Sequence, residues 1–201
     1  MRLVMMRHGA TPGNEERRYV GRRTDEPLSD VGRAQCKQAR VPTSETARVV
    51  YASPLLRARQ TAEICFPQAR VVTVVGLEEF DFGLFEGRTA RQMEHDAQYR
   101  IWVEGGCRGA CPNGESLESF CARSNATLAV LLRREGARGT REVVVVAHGG
   151  TIMAAFDAFA AYEGNGQDPF RWHVGNCQGY VANVVTCGQG LLFEDVRAFG
   201  G

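Results

Sequence analysis

Val143-Val144-Val145-Val146-Ala147-His148-Gly149-Gly150 passes from an unbroken apolar run to a histidine and two glycines. Four successive valines cannot alternate between core and water. A strand built from them must be covered on both faces, the condition met in a parallel sheet with helices above and below. Similar short runs lie outward from it at Arg2–Met6, Arg48–Ala52 and Val71–Val75, then at Tyr180–Val185 and Leu191–Val196. Helical patterns separate them. Ser53-Pro54 reads as an N-cap followed by an N1 proline, and Leu55, Ala58, Ala62 and Cys65 then form one stripe. Other helices are expected over about Ser29 to Ala39, over Ser116 to Glu135, and from Gly149-Gly150 through Phe159.

Strands that alternate with helices predict an α/β fold, a three-layer sandwich with a mostly parallel central sheet and helices on both faces. The last two strands flank Cys187-Gly188-Gln189-Gly190, which reads as a hairpin at the sheet edge. The stretch Gly83–Gly114 is polar, glycine-containing and weakly periodic, and is expected to form a helical insertion or lid over the site. Without repeats or a low-complexity linker, residues 1–201 are read as a single domain.

The 201 residues are 44% apolar and 23% charged, an ordinary globular composition. With 24 basic against 23 acidic residues the formal net charge is +1, which argues against non-specific nucleic-acid binding. Lys37 is the sole lysine, so anion binding must come from a few placed arginines. The first residues meet charge too early for a signal peptide, and no apolar run reaches the length of a membrane span. A cytoplasmic location with neither nucleic acid nor membrane as partner is therefore expected. The seven cysteines are read as reduced thiols packed in the core or in loops, with no metal ligated.

Three predicted strands end in residues suited to phosphate: Arg7-His8-Gly9, then Ser53-Pro54-Leu55-Leu56-Arg57, then His148-Gly149-Gly150. In open parallel sheets the carboxyl ends of the strands meet in one crevice, so these groups should converge. Helix N-termini near Pro54 and Thr151 would add N–H donors and positive dipole ends. Two arginines, two histidines and helix N-termini in one pocket describe a site for a dianionic phosphate.

On these residues the sequence resembles the histidine phosphatase superfamily, which contains the phosphoglycerate mutases and many small-molecule phosphatases. The resemblance runs through Arg7-His8-Gly9-Ala10-Thr11 with Asn14, then Thr24–Ser29 with Gly32 and Gln35. It continues in Ser53–Ala62, in Leu77–Gly83 with Glu86-Gly87, and in His148–Ile152. It implies a phosphomonoester hydrolase that needs no cofactor, with His8 as the nucleophile. Arg7, Arg57 and a protonated His148 would grip the phosphoryl oxygens, and Asn14 and the Gly149 amide would add donors. Thr11 and Gly21 would line the phosphate loop. Glu79 would protonate the leaving oxygen and then activate water, with its neighbour Glu78 an exposed loop acid.

The Pro112–Ser116 segment resembles the phosphatase branch, and Asp81-Phe82-Gly83 with the overall size resembles α-ribazole phosphatases of cobalamin assembly. The implied partner is a small-molecule phosphate ester, the assembly to test a homodimer. A cofactor-dependent phosphoglycerate mutase and a non-catalytic phospho-ligand-binding module are the alternatives. Arg17, Arg18, Arg22 and Arg23 flank Tyr19-Val20-Gly21 and are candidates for gripping further substrate anions. His95 is expected to be solvated and His173 structural.

Overall fold

In the computed structural model, which describes all residues except 44–46, 161–170, 189 and 201, the valine run is the inner strand β4 (Glu142–Ala147). It lies between β1 (Arg2–Arg7) and β2 (Val49–Ala52), parallel to both. Strand β3 (Arg70–Thr73) extends the parallel part beyond β2, and β5 (Gly179–Cys187) and β6 (Gly190–Phe199) add an antiparallel hairpin beyond β1. The order is β3-β2-β4-β1-β5-β6. The expected hairpin is therefore at the edge, and Gln189 in its turn lies outside the described residues.

Successive side chains of a strand point to opposite faces, and the valines divide accordingly. Leu3, Met5, Val143, Val145 and Ala147 pack with α5 (Leu117–Ala137) and α6 (Gly149–Phe159). Val4, Val144 and Val146 pack with α3 (Leu56–Cys65) on the other face. Helix α2 (Asp30–Gln38) sends Cys36 against Met6 on the α3 side. Both faces are covered, which is why the runs carry no polar alternation.

Helix α3 starts later than its sequence suggests. Its N-cap is Leu55, so Ser53 and Pro54 are not the cap and first turn. The Ser53 hydroxyl is drawn instead to a histidine described below, and tertiary pairing overrides the local capping signal. The 83–114 region forms 3-10 turns at Gly83–Phe85 and Arg91–Met93 and the short helix α4 (Ala97–Glu104). It has an aromatic cluster of its own, with Phe85, Tyr99 and Trp102 packed against Phe80 and Phe120. Among the described residues no helix is long and apolar enough to cross a membrane.

Candidate active site

Strand register assembles the centre. Arg7 pairs with Ala147 and Ala52 with Val146, so the next residues, His8, His148 and Ser53, emerge side by side at the carboxyl ends of three adjacent strands. The pairing continues briefly beyond the strands: the His8 amide donates to the Ala147 carbonyl at 3.0 Å, and the Ser53 amide to the Val146 carbonyl at 3.0 Å. The imidazoles of His8 and His148 lie 5.1 Å apart between ring centroids, at 64° to each other.

His8 is buried, with Nδ1 2.7 Å from the Gly9 carbonyl oxygen. A carbonyl only accepts, so Nδ1 carries the hydrogen and Nε2 keeps its lone pair. The loop that orients this ring is itself fixed. The Gly9 amide donates to Thr61 Oγ1 at 3.0 Å, and Asn176 Nδ2 donates to the His8 carbonyl at 3.0 Å. Gly9 is held close: a Cβ there would lie 2.7 Å from the Gly32 carbonyl oxygen.

Arg57 is 0% exposed, an unusual burial for a guanidinium. Its Nη1 donates to the Thr24 carbonyl at 2.7 Å and its Nη2 to the Gly21 carbonyl at 3.0 Å. The loop supplying those carbonyls is tied down by Glu86, which accepts from the Gly21 amide at 2.9 Å and the Thr24 hydroxyl at 2.7 Å. Arg7 is held by the Val174 carbonyl at 2.8 Å from its Nη1. Three buried nitrogens of this group, Arg7 Nε, Arg57 Nε and His148 Nδ1, have no hydrogen-bond partner among the described residues. Arg59 Nε, Ser124 Oγ, Asn125 Oδ1 and Thr151 Oγ1 are likewise unpaired, and each such buried group costs about 1–3 kcal/mol. Three around one pair of imidazoles indicate that a ligand with acceptor atoms completes the site.

Electrostatics separate the roles. Burial, then Arg57 and Arg7, push the His8 imidazole well below its usual range. Burial, then Arg57, His8 and Arg7, do the same to His148. With protein groups alone around it, desolvation and the two facing guanidinium groups disfavour the charged form of His148. Burial also lowers Arg7 and Arg57 from the usual arginine range, and the Glu79 carboxylate opposes that in both.

Glu79 stands at the rim, half-buried. Its Oε1 accepts from the Phe80 amide at 2.9 Å and its Oε2 from the Gly150 amide at 3.0 Å in the first turn of α6. Glu78 is not the exposed loop acid expected. It is 8% exposed and accepts from the Gly76 amide at 2.7 Å, with Arg123 3.6 Å away. Arg123 also donates to the Glu78 and Glu79 carbonyls, at 3.2 and 3.3 Å, so one arginine clamps the segment carrying the rim carboxylate.

The other expected contacts are placed unevenly. Gly149 is the first residue of α6, with Arg7 Nε 3.6 Å from where its Cβ would be. Helix α1 (Pro12–Glu15) has Thr11 as N-cap, and the Thr11 amide donates to Asn14 Oδ1 at 3.3 Å. Asn176 Nδ2 joins that oxygen at 3.3 Å, linking Asn14 to the nucleophile loop. Gly21 acts through Arg57, and its backbone is wedged against Phe80, where a Cβ would come 2.1 Å from the carbonyl oxygen.

Of the four loop arginines, Arg18 is bound to Glu16 and the Gly87 carbonyl, and Arg23 to Asp81 and the Asn113 carbonyl. His95 is exposed beside Glu94, and His173 is exposed too, away from a buried structural role. Among the described cysteines no disulfide forms, and Cys36 Sγ sits 3.5 Å from Cys177 Sγ beneath Gly9.

Asn176 has no signal in the sequence, and Ser53 is marked there as a strand end and cap without a link to His148. Ser53 Oγ lies 2.8 Å from His148 Nε2, yet next to a proline it reads as a cap. Asn176 reaches the His8 carbonyl from 168 residues away, a separation that only the folded chain closes.

The family described as histidine phosphatase superfamily (branch 1) matches residues 3–192. The protein of Enterobacter sp. (strain 638) called "Probable phosphoglycerate mutase GpmB" is 31% identical over 175 residues, covering 81% of this chain and 77% of that one. Among solved structures, the alpha-ribazole phosphatase from Shigella flexneri superposes with a TM-score of 0.75 at 21% identity, over 96% of this chain and 95% of that one. Phosphoglycerate mutase from Thermus thermophilus does so with a TM-score of 0.64 at 29% identity, over 91% and 93%.

Proposed function

The chain belongs to the histidine phosphatase superfamily, branch 1, and on that premise we propose that it hydrolyses a small phosphomonoester through a phosphohistidine on Nε2 of His8. The observation that carries the reading is the trio of unpartnered buried nitrogens, Arg7 Nε, Arg57 Nε and His148 Nδ1. They lie around an imidazole whose other nitrogen is already committed to the Gly9 carbonyl.

The lone pair of Nε2 attacks phosphorus in line as the ester P–O bond breaks. The departing alkoxide takes the proton of the Glu79 carboxylic acid. Glu79, now a carboxylate, takes a proton from water whose oxygen attacks phosphorus, the P–N bond breaks, and inorganic phosphate leaves. Arg7, Arg57, His148, Asn14 and the Gly149 amide meet the charge on the equatorial oxygens, each preorganised donor being worth about 2.7–4 kcal/mol of barrier. His148 gains its proton with the dianion, whose charge offsets the two arginines.

α-Ribazole 5′-phosphate is the metabolite proposed, as the substrate suggested by the Shigella flexneri neighbour's name, in a cytoplasmic enzyme of cobalamin assembly. The 83–114 segment is proposed to act as the lid over this site. A phosphoglycerate mutase is the second reading, favoured by the name of the Enterobacter relative.

The deciding experiment measures phosphate release from p-nitrophenyl phosphate and α-ribazole 5′-phosphate in EDTA, with 3-phosphoglycerate and bisphosphoglycerate assayed for interconversion. Metal-independent release that vanadate inhibits and His8→Ala abolishes is expected. Retained turnover in His8→Ala would remove the nucleophile. Interconversion without release would move the protein to the mutases, and no reaction at all would leave a binding module.

A further inference from the structure

We propose that the alcohol part of the substrate carries a flat apolar ring, which is held in an aromatic cavity on the far side of Glu79. The proposal rests on the hydrolase reading for its direction: whatever is bonded to the oxygen that Glu79 protonates must continue past that carboxylate. A cavity of about 360 Å³ has Glu79 and Gly150, which are hydrogen-bonded to each other, in its lining. Three larger grooves, of about 660, 650 and 490 Å³, all include Arg2 at the start of β1, the opposite end of the strands, and none is lined by a residue of the candidate site.

The cavity walls are Tyr19, Phe80, Phe82, Trp102, Phe120 and Met153. The rings are mutually braced: Phe82 stands 5.0 Å from Tyr19 and 4.9 Å from Phe80 between centroids, and Phe80 stands 5.4 Å from Phe120. The two walls with polar atoms have committed them. Tyr19 shares its hydroxyl with that of Tyr99 at 2.8 Å, and Trp102 Nε1 donates to the Gly109 carbonyl at 3.1 Å. A ligand therefore meets ring faces and edges, the Met153 thioether, Leu117 and the Cys107 and Cys121 thiols, a lining in which the rings suit stacking and edge-to-face contact.

Charge points the same way. Glu79 and Asp157 are the charged residues lining the cavity, and no arginine or lysine joins them. An ester with a carboxylate or second phosphate beyond the scissile oxygen would bring its anion toward the Asp157 carboxylate and the proton-bearing Glu79, with no arginine or lysine among the described lining residues to meet it. An aromatic ring fills the space and meets no such opposition.

The test uses three primary-alcohol esters, 2-naphthylmethyl, benzyl and ethyl phosphate, together with 3-phosphoglycerate, and reads kcat/KM from phosphate release. Because the leaving oxygens of the first three are alike, their ratio reports on the cavity. Naphthylmethyl phosphate should exceed ethyl phosphate by about 10²-fold, and 3-phosphoglycerate should fall below both. In Met153→Lys and Phe82→Ala, both at half-buried positions, the naphthylmethyl-to-ethyl ratio should fall at least about tenfold.

A wild-type ratio near one, a preference for 3-phosphoglycerate, or an unaltered ratio in both variants would overturn the proposal. Calorimetric binding of naphthylmethylphosphonate against ethylphosphonate decides it independently of turnover, with the same ratio expected in Kd. If no ester is cleaved but the phosphonates discriminate, hydrolysis fails and the cavity assignment stands. Cleavage without discrimination gives the reverse.

Discussion

Acidification from about pH 7.5 to about pH 5.5 should remove up to about 3 kcal/mol of folding stability through two side chains, His8 and His148. Both are fully enclosed, and burial with the neighbouring arginines holds their folded-state values well below the usual 6.5. In the unfolded chain the same imidazoles titrate near 6.5 and take up protons that the folded protein refuses. The sign follows: their contribution is fully present above about pH 6.5 and is lost as the pH falls below it. At about pH 5.5 an unfolded histidine is roughly 90% charged, and each folded neutral one is disfavoured by RT ln(1 + 10), about 1.4 kcal/mol, against less than about 0.1 at pH 7.5. Urea denaturation at several pH values reads the difference. His8→Gln and His148→Gln should each cut the loss by about half, because one proton sink of the unfolded state is gone. A flat wild-type profile across this window, or an undiminished slope in both variants, would refute the claim that the two rings are held neutral.

Replacement of Glu79 by Gln should reduce turnover of alkyl phosphates by roughly 10²–10⁴-fold and of p-nitrophenyl phosphate far less; equal losses in parallel kcat measurements would leave the proton-donor role unsupported. A Cβ added at Gly150 would lie 2.4 Å from Glu79 Oε1 and 3.2 Å from Phe120, so Gly150→Ala should lower kcat at least about tenfold by displacing the carboxylate. Unchanged kcat there would mean that the rim carboxylate need not sit on the α6 amide. Ser53→Ala removes the partner of His148 Nε2 inside a buried pocket, and chemical denaturation at neutral pH should show a loss of about 1–3 kcal/mol. A variant as stable as the wild type would argue that the ring finds another acceptor or donor.

The fold was legible where local chemistry and long-range packing agree. Val143–Val146 lacks polar alternation because α5 and α6 cover one face and α3 the other, and the glycine-marked hairpin joins β5 antiparallel to the edge strand β6. Reading failed where a residue had two uses. Ser53 beside Pro54 satisfies a capping pattern, yet its hydroxyl stands against His148. Glu78 and Glu79 are adjacent acids in one loop, and the clamp by Arg123 that buries the first is invisible without the fold. The 83–114 stretch is weakly periodic because its aromatic residues pack against Tyr19, Phe80 and Phe120, from other parts of the chain, rather than along a helix of its own.

The amino-acid order by itself determined the α/β class and put His8, Ser53 and His148 at strand ends, since strand period and strand-end chemistry are local properties. Tertiary structure alone decided that burial and two arginines disfavour charge on both imidazoles, that Arg57 is gripped by the Gly21 and Thr24 carbonyls, and that an aromatic cavity counts Glu79 in its lining. Desolvation, hydrogen-bond geometry and cavity shape all depend on which distant residues close around a group, and that is settled when the sheet register brings the strand ends together.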